Sequence, residues 1–393
     1  VAGWRNGRQD AGPERTVRPM TAIFLYGTLC HLPLLEVVLG RKAPGVFAAA
    51  LPDHRVNWAD KQNFPILSAV AGQVAQGLCL PDPSAGDIAR LDYYEAGFGY
   101  SLHDCQLDTD SGPVRARAYF AAPGLWQVGA PWSLDDWVSV WAPITVLAAR
   151  EYMDGLETVP AAVAAARYPQ MLVRAGSTLR AGAQRTPHAL RSDTGHERVH
   201  VAARRRPYSN FFTLEERDIR FPRFDGRDSE TVNRAALVAA DAVTVLPYDP
   251  RRDMVLMIEQ FRFGPYLRGD TTPWILEPVA GRIDPGETPE DAAHRELAEE
   301  AGLSVRKLLP VASFYPSPGA WTEYLYSFVG LADLPDEAAG LGGLESEAED
   351  IKSHVLSFQA AIGLLSSGEA DTGPLVLTLL WLREHRHALR RDA

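Results

Sequence analysis

Cysteine is scarce. Cys30, Cys79 and Cys105 are the only three in 393 residues, and all stand in the first third of the chain. Their odd number and irregular spacing exclude a disulfide scaffold and a cysteine-ligated metal site, and they read as core residues of a protein kept in a reducing cytoplasm. Long apolar runs are missing too. The longest nearly uncharged stretch, Trp137 to Ala149, is too short to span a bilayer and contains Pro143, so no membrane role is expected. Residues 1–19 carry Arg5, Arg8, Arg15 and Arg18 but no apolar segment of the kind a signal peptide needs. They are expected to form a disordered tail, with Met20 as an alternative start. Positive charge is in deficit: the formal net charge is −11, which argues against a polyanion-binding surface and against nucleic acid as a partner. Internal repeats and long low-complexity runs are absent. A nucleotide-sized ligand remains compatible with all of this.

What is present supports more than one core. With 46% apolar residues, a chain of this length can form two or three domains. Residues 20–123 are strand-rich, with strands expected at Ala22 to Tyr26, Gly72 to Leu80, Ser101 to Leu107 and Pro113 to Ala121. Residues 124–194 change to tryptophans and alanine-rich helix, at Leu134 to Met153 and Val159 to Arg167, and read as a helical connector. Residues 195–393 interleave strands and helices as a layered α/β domain requires. Strands are expected around Val199, at Phe211 to Ile219, Leu237 to Pro247, Met254 to Gln260, Leu308 to Tyr315 and Tyr324 to Leu331. Helices are expected at Ser357 to Ser366 and Pro374 to Arg390.

The most informative segment is 281–303. Gly281 and Pro285-Gly286 mark a loop, Thr288 is an N-cap with Glu290 and Asp291 in the first turn, and Gly302 stands where a helix should stop. The helix therefore runs from Pro289 to Ala301. Glu296, Glu299 and Glu300 share one face, while Ala292, Ala293 and Leu297 supply an apolar face to pack on a sheet. Like charges crowded on one face repel, and a hard, oxygen-seeking cation such as Mg2+ or Mn2+ would relieve them while gripping the oxygens of a diphosphate. Arg295 is placed to hold Glu287 or another carboxylate.

Gly281, Glu287, Arg295-Glu296-Leu297, Glu299-Glu300 and Gly302-Leu303 together resemble the signature box of the Nudix hydrolases. These enzymes cleave a nucleoside diphosphate linked to another moiety. The resemblance implies an α/β/α sandwich with Glu296 and Glu300 as metal ligands and Glu299 as a further ligand or base. Ile258 to Arg262, Pro273 to Gly281, and Ser317-Pro318-Gly319 with Glu323 are similar to segments of the ADP-ribose pyrophosphatase branch, over about half the chain. That branch implies the carbonyl of Ala280 as a further metal ligand, Arg262 on the phosphates, and Ser317, Pro318, Gly319 and Glu323 against substrate, with Arg282 beside them. It implies Phe211 or Phe212 stacked on adenine across a homodimer. The acidic, glycine-rich loop 340–350 aligns Glu347 with the catalytic glutamate and Glu349 with another metal ligand; a shift of register would favour Glu345. The mechanism implied has a loop glutamate or Glu299 deprotonate a water that attacks phosphorus, turning ADP-ribose into AMP and ribose 5-phosphate. The paired Arg-Glu of the adenine side is replaced here by Asn233-Arg234. A GDP-mannose pyrophosphatase would carry much the same box.

A second resemblance covers about residues 21–122. Tyr26-Gly27-Thr28-Leu29, following a strand, and Glu95 among Tyr93, Tyr94, Phe98 and Tyr100 are similar to gamma-glutamylcyclotransferase-like β-barrel domains of the AIG2 type. In that family the Tyr-Gly-x-Leu loop binds an amino-acid-like ligand, and the residue matching Glu95 shuttles a proton. Enclosure among aromatics would raise the pKa of that carboxyl group. Cyclotransferase chemistry and simple metabolite binding both remain open for this domain. The fused architecture is similar to bacterial proteins associated with tellurite resistance. The expected fold class is α/β multidomain: a β-barrel with helices, a helical connector and a Nudix α/β/α sandwich.

Overall fold

The computed structural model describes residues 22–43, 45–344 and 349–392, so the expected tail 1–19 lies outside the described residues. The chain divides into two units between Tyr168 and Pro169. The first contains β1 (Ala22–Leu25), α1 (Leu32–Leu39), β2 (Phe47–Ala59), β3 (Pro65–Pro81), α2 (Ala85–Ala96), β4 (Tyr100–Thr109), β5 (Gly112–Ala121), β6 (Val128–Pro131), α3 (Leu134–Val140) and α4 (Ala142–Met153). Helix α5 (Ala161–Ala183) carries the chain across the boundary, with Pro169 inside it. All four residues of β1 are buried, as a strand covered on both faces requires. It lies parallel to β5 and antiparallel to β3. The order is β3-β1-β5-β4-β2, and β2 pairs back with β3, closing a five-stranded barrel with β6 added beside β2. Phe24, Leu51, Leu67, Ala75, Cys79, Leu107 and Ala118 pack together in its core. The strand β2 escaped the sequence reading, and β6 lies in the stretch 124–194 read as helical.

The second unit adds β7 (His200–Ser209), β8 (Thr213–Arg220) and β9 (Val232–Val238), which form a separate antiparallel sheet. They are followed by β10 (Ala242–Asp249), β11 (Met254–Phe261), α6 (Phe263–Arg268), β12 (Trp274–Glu277), β13 (Val279–Arg282), α7 (Pro289–Ala301), β14 (Lys307–Phe314), β15 (Leu325–Leu331), β16 (Gly340–Gly342), β17 (Ile351–Ser357), α8 (Phe358–Ser367) and α9 (Gly373–Arg391). The large mixed sheet runs β14-β15-β10-β11-β17-β16, with β12 on β11 and β13 on β10.

Alternation along the central strands sorts side chains into two layers. Val243, Val245, Leu256 and Ile258 pack with Ala292, Ala293 and Leu297 of α7. On the opposite face Leu246, Tyr248, Val255 and Met257 pack with Phe358 and Ala361 of α8 and Leu375, Leu379 and Leu382 of α9. The result is the expected α/β/α sandwich, held by side chains whose full burial contributes roughly 1.5–3 kcal/mol each for the larger apolar residues. The run Leu237 to Pro247, expected as one strand, is broken between β9 and β10. Its backbone there is tied sideways: Ala239 N–H donates to Thr322 Oγ1 at 2.9 Å and Asp241 N–H to Ser177 Oγ at 2.8 Å. Those groups are taken out of the ladder, so the strand ends and restarts.

Candidate active site

Helix α7 forms with the limits its sequence predicts. The Thr288 side chain accepts from Asp291 N–H and Asp291 reaches back to the Thr288 backbone, closing a capping box, and Gly302 ends the helix at φ 61°. With Ala292, Ala293 and Leu297 fully buried, the acidic face turns toward the loop 278–287.

Arg295 organises that face. Its guanidinium donates to both oxygens of Glu287 (2.9 and 3.0 Å), to Glu296 Oε1 (2.6 Å), to Glu299 Oε2 (3.0 Å) and to the carbonyl of Arg282 (2.8 Å). Glu287 in turn accepts from Asp284 N–H at 3.0 Å, pinning the loop to the helix. Glu300 accepts from Ala280 N–H at 2.9 Å. Gly281 is required by contact: a Cβ there would lie 1.9 Å from the Glu296 carboxyl group.

Glu296 is 9% exposed and Glu300 2%. Burial pushes Glu296 up to about 7, against the pull of Arg295 and with the help of Glu299 and Glu349. Burial pushes Glu300 up to about 8, opposed by the Ala280 N–H and Arg262 and reinforced by Glu296 and Glu349. Glu349 is brought to this pair by β16 and β17. Gly342 packs so tightly on the end of α7 that a Cβ would stand 2.3 Å from the Glu300 carbonyl oxygen. Glu349 Oε2 accepts from Leu344 N–H at 3.3 Å. Glu347 and its alternative Glu345 lie outside the described residues.

Among the described residues no three Asp, Glu, His or Cys side chains already surround one metal position. The donor chemistry nevertheless fits a divalent cation. Two carboxylates one helical turn apart, both buried and with Glu296 raising the proton affinity of Glu300, are hard oxygen donors short of positive charge.

Arg262 donates to Glu277 Oε2 at 2.6 Å, and its charge acts on both Glu300 and Glu323. Burial raises the pKa of Glu323, with Asp241 and Glu277 adding to the shift. Ser317, Pro318 and Gly319 form an exposed turn, closed by Ser317 O accepting from Ala320 and Trp321 N–H, both at 3.0 Å. Phe211 lies under the Arg282 guanidinium, 4.4 Å from its centroid, and Phe212 meets Trp321 edge-on at 5.7 Å. Both rings therefore rest on residues of their own chain. Arg234 sits on β9 opposite Arg217, donating to the Asn233 carbonyl at 2.9 Å.

Several contributors escaped the sequence reading. Gln170 accepts from Arg282, Arg174 donates to the Phe211 carbonyl at 3.0 Å, and Arg180 donates to Asp241 at 2.9 Å. These residues of α5, with Ser177, recur at helical spacing as a polar stripe in an alanine-rich helix, which is the signal that could have revealed them.

In the first unit, Glu95 is pushed up to about 7 by burial. Its charge is felt by Tyr26, Tyr94, Tyr100, Tyr119, Tyr152 and Tyr168, a wider ring of phenols than the adjacent sequence suggested. Tyr93, expected to enclose it, packs on Tyr152 at 5.2 Å. Tyr26 O–H donates to the Tyr119 carbonyl at 2.7 Å. After it, Gly27 caps the short 3-10 turn Thr28–Cys30, in which Leu29 is buried. A Cβ on Gly27 would lie 2.5 Å from Pro65 Cγ.

Comparison with known proteins agrees with this division. A Nudix domain model matches residues 238–378, and a model described as gamma-glutamyl cyclotransferase, AIG2-like, matches residues 23–139. The chain is 40% identical over 206 residues to the ADP-ribose pyrophosphatase of Escherichia coli K12, spanning 52% of this chain and 98% of that protein. The ADP-ribose pyrophosphatase of Haemophilus influenzae is 39% identical over 178 residues, 45% of this chain and 82% of that one. The GDP-mannose pyrophosphatase of Escherichia coli O1:K1 is 31% identical over 176 residues, 44% and 89% respectively. The buried glutamates of α7, the sandwich that carries them and these relatives converge: the chain belongs, through its C-terminal half, to the Nudix hydrolases, and carries an AIG2-like domain before it.

Proposed function

We propose that the C-terminal half hydrolyses the diphosphate bond of a nucleoside diphosphate sugar, ADP-ribose first, giving AMP and ribose 5-phosphate. The observation that carries the reading is the buried pair Glu296 and Glu300, pushed up to about 7 and about 8, with Glu349 beside it. Higher identity to relatives named ADP-ribose pyrophosphatase than to one named GDP-mannose pyrophosphatase supports the choice of sugar nucleotide.

Nudix hydrolases need a divalent metal, and Mg2+, with Mn2+ as substitute, is the ion proposed here. Glu296, Glu300, Glu349 and the carbonyl of Ala280 are its proposed ligands; when bound, it supplies positive charge against the diphosphate. Arg262 pairs with phosphoryl oxygens, and the base stacks on Phe211 or Phe212, with Arg282 lying over the Phe211 ring. Ser317, Pro318, Gly319 and Glu323 border the sugar, and Arg234 lies toward the base. Glu299 or Glu347 takes a proton from the attacking water. Its oxygen bonds to one phosphorus while the bridging oxygen leaves with the other phosphoryl group. A homodimer is part of the proposal.

AMP release from ADP-ribose with Mg2+, measured for wild type and Glu300→Gln, tests this reading; equal rates in both would discard it. A second reading, gamma-glutamyl cyclisation in the first unit, is favoured by the Glu95 carboxyl group at about 7 among tyrosines. Formation of 5-oxoproline from gamma-glutamyl substrates, lost in Glu95→Gln, is its expected outcome. No product across a panel would leave a binding role for that domain.

A further inference from the structure

Gln260 is 5% exposed, and its side-chain Nε2 has no hydrogen-bond partner among the described residues. A buried donor left unpaired is costly and uncommon, and calls for an explanation. Its position supplies one. On β11, Leu256 and Ile258 face α7, whereas Val255 and Met257 face α8 and α9. Alternation continues without a register shift, so Gln260 stands on the α7 face, paired with Ile351 of β17, which also packs on that side. Ile351 is paired in turn with Gly342, the residue pressed against the Glu300 carbonyl. Two residues on, Arg262 acts on Glu300 and Glu323. Glu300 Oε2 accepts from Ala280 N–H at 2.9 Å, and among the described residues no acceptor, Glu300 included, bonds the Gln260 amide nitrogen.

We infer that Gln260 is a substrate-binding residue whose side-chain amide donates to a phosphoryl oxygen of the nucleoside diphosphate, alongside Arg262. The inference rests on the hydrolase reading above and assigns a donor that the acidic helix cannot supply. A carboxylate-lined site attracts a diphosphate only where neutral and cationic donors meet its oxygens. An amide fixes position without adding charge, and it stays unsatisfied until the ligand arrives.

The test is Gln260→Met, which keeps volume and removes the donor. The inference expects opposite signs. Without metal or ligand, the variant melts at a temperature equal to wild type or about 2–4 °C higher, because the unpaired group is gone. With Mg2+, kcat/KM for ADP-ribose falls about 10-fold or more, the loss of one hydrogen bond to a charged oxygen. Activity within twofold of wild type overturns the inference, as does a melting temperature that falls along with activity, which would make Gln260 a packing residue. If the wild type cleaves no sugar nucleotide, the hydrolase reading fails and calorimetry with ADP and Mg2+ decides. Binding about 10-fold weaker in the variant upholds the donor, and equal or undetectable binding in both overturns it.

Discussion

Both units raise a carboxyl group toward neutrality by burial, yet they do so in opposite company. Glu95 stands alone among phenols, and burial is the cause of its shift to about 7. Glu296 and Glu300 stand among other acids, Glu299 and Glu349, with Arg295 and Arg262 pulling the other way. A single acid in neutral surroundings can gain or lose one proton near pH 7, which suits proton transfer. A cluster of acids with too few cations holds an unmet demand for positive charge, which suits a metal. The same burial thus prepares two kinds of chemistry, and the neighbours decide which.

The sharpest way to break that contrast is to neutralise one acid in each unit. Glu300→Gln should lower AMP release from ADP-ribose by at least about 100-fold, since even residues behind metal ligands cost 10–100-fold. Glu95→Gln should leave that rate unchanged, and a parallel loss in both would merge the two sites into one function. Gly281→Ala comes next. Its new methyl group would lie 1.9 Å from the Glu296 carboxyl group, so activity should fall by about 10-fold or more, with weaker metal binding by calorimetry.

A pH series sharpens the comparison further. From an ordinary value of 4.5, Glu296 and Glu300 rise to about 7 and about 8 in the folded chain. The folded state therefore holds protons that the unfolded state has already released, and metal-free stability should fall as pH rises from about 5 to 8. Added Mg2+ should raise the melting temperature most at the alkaline end of this window, and a pH-independent metal effect would contradict the coupled-acid account. The smallest change is expected in the first unit. Glu95→Gln should reduce the pH dependence of its unfolding between about 5 and 7 without altering the response to Mg2+.

How much of this was visible beforehand differs by element. Helix α7 was readable residue by residue, because its cap, its stop and its apolar face are local features of thirteen consecutive residues. The acidic face and the Arg295 that holds it followed from the same periodicity. The strand β2, the break after Val238 and the short β16 were not readable, because each depends on a distant partner: β3, Thr322 with Ser177, and β17. The stripe Gln170, Arg174, Ser177 and Arg180 lies beyond the helix expected at Val159 to Arg167, on the part of α5 that extends to Ala183. Three of the four bond to Arg282, Phe211 and Asp241, while Ser177 accepts from the Asp241 backbone.

By itself the sequence determined the helix that bears the acids and the identity of those acids, since caps and periodicity act over one or two turns. Only the tertiary structure decided which charges meet. Burial lifts Glu296 and Glu300 because a sheet and a neighbouring loop exclude water from them, and it encloses Glu95 with tyrosines from strands and helices far apart in the chain. Desolvation and Coulomb forces depend on distance through space, and that distance is set when the core packs.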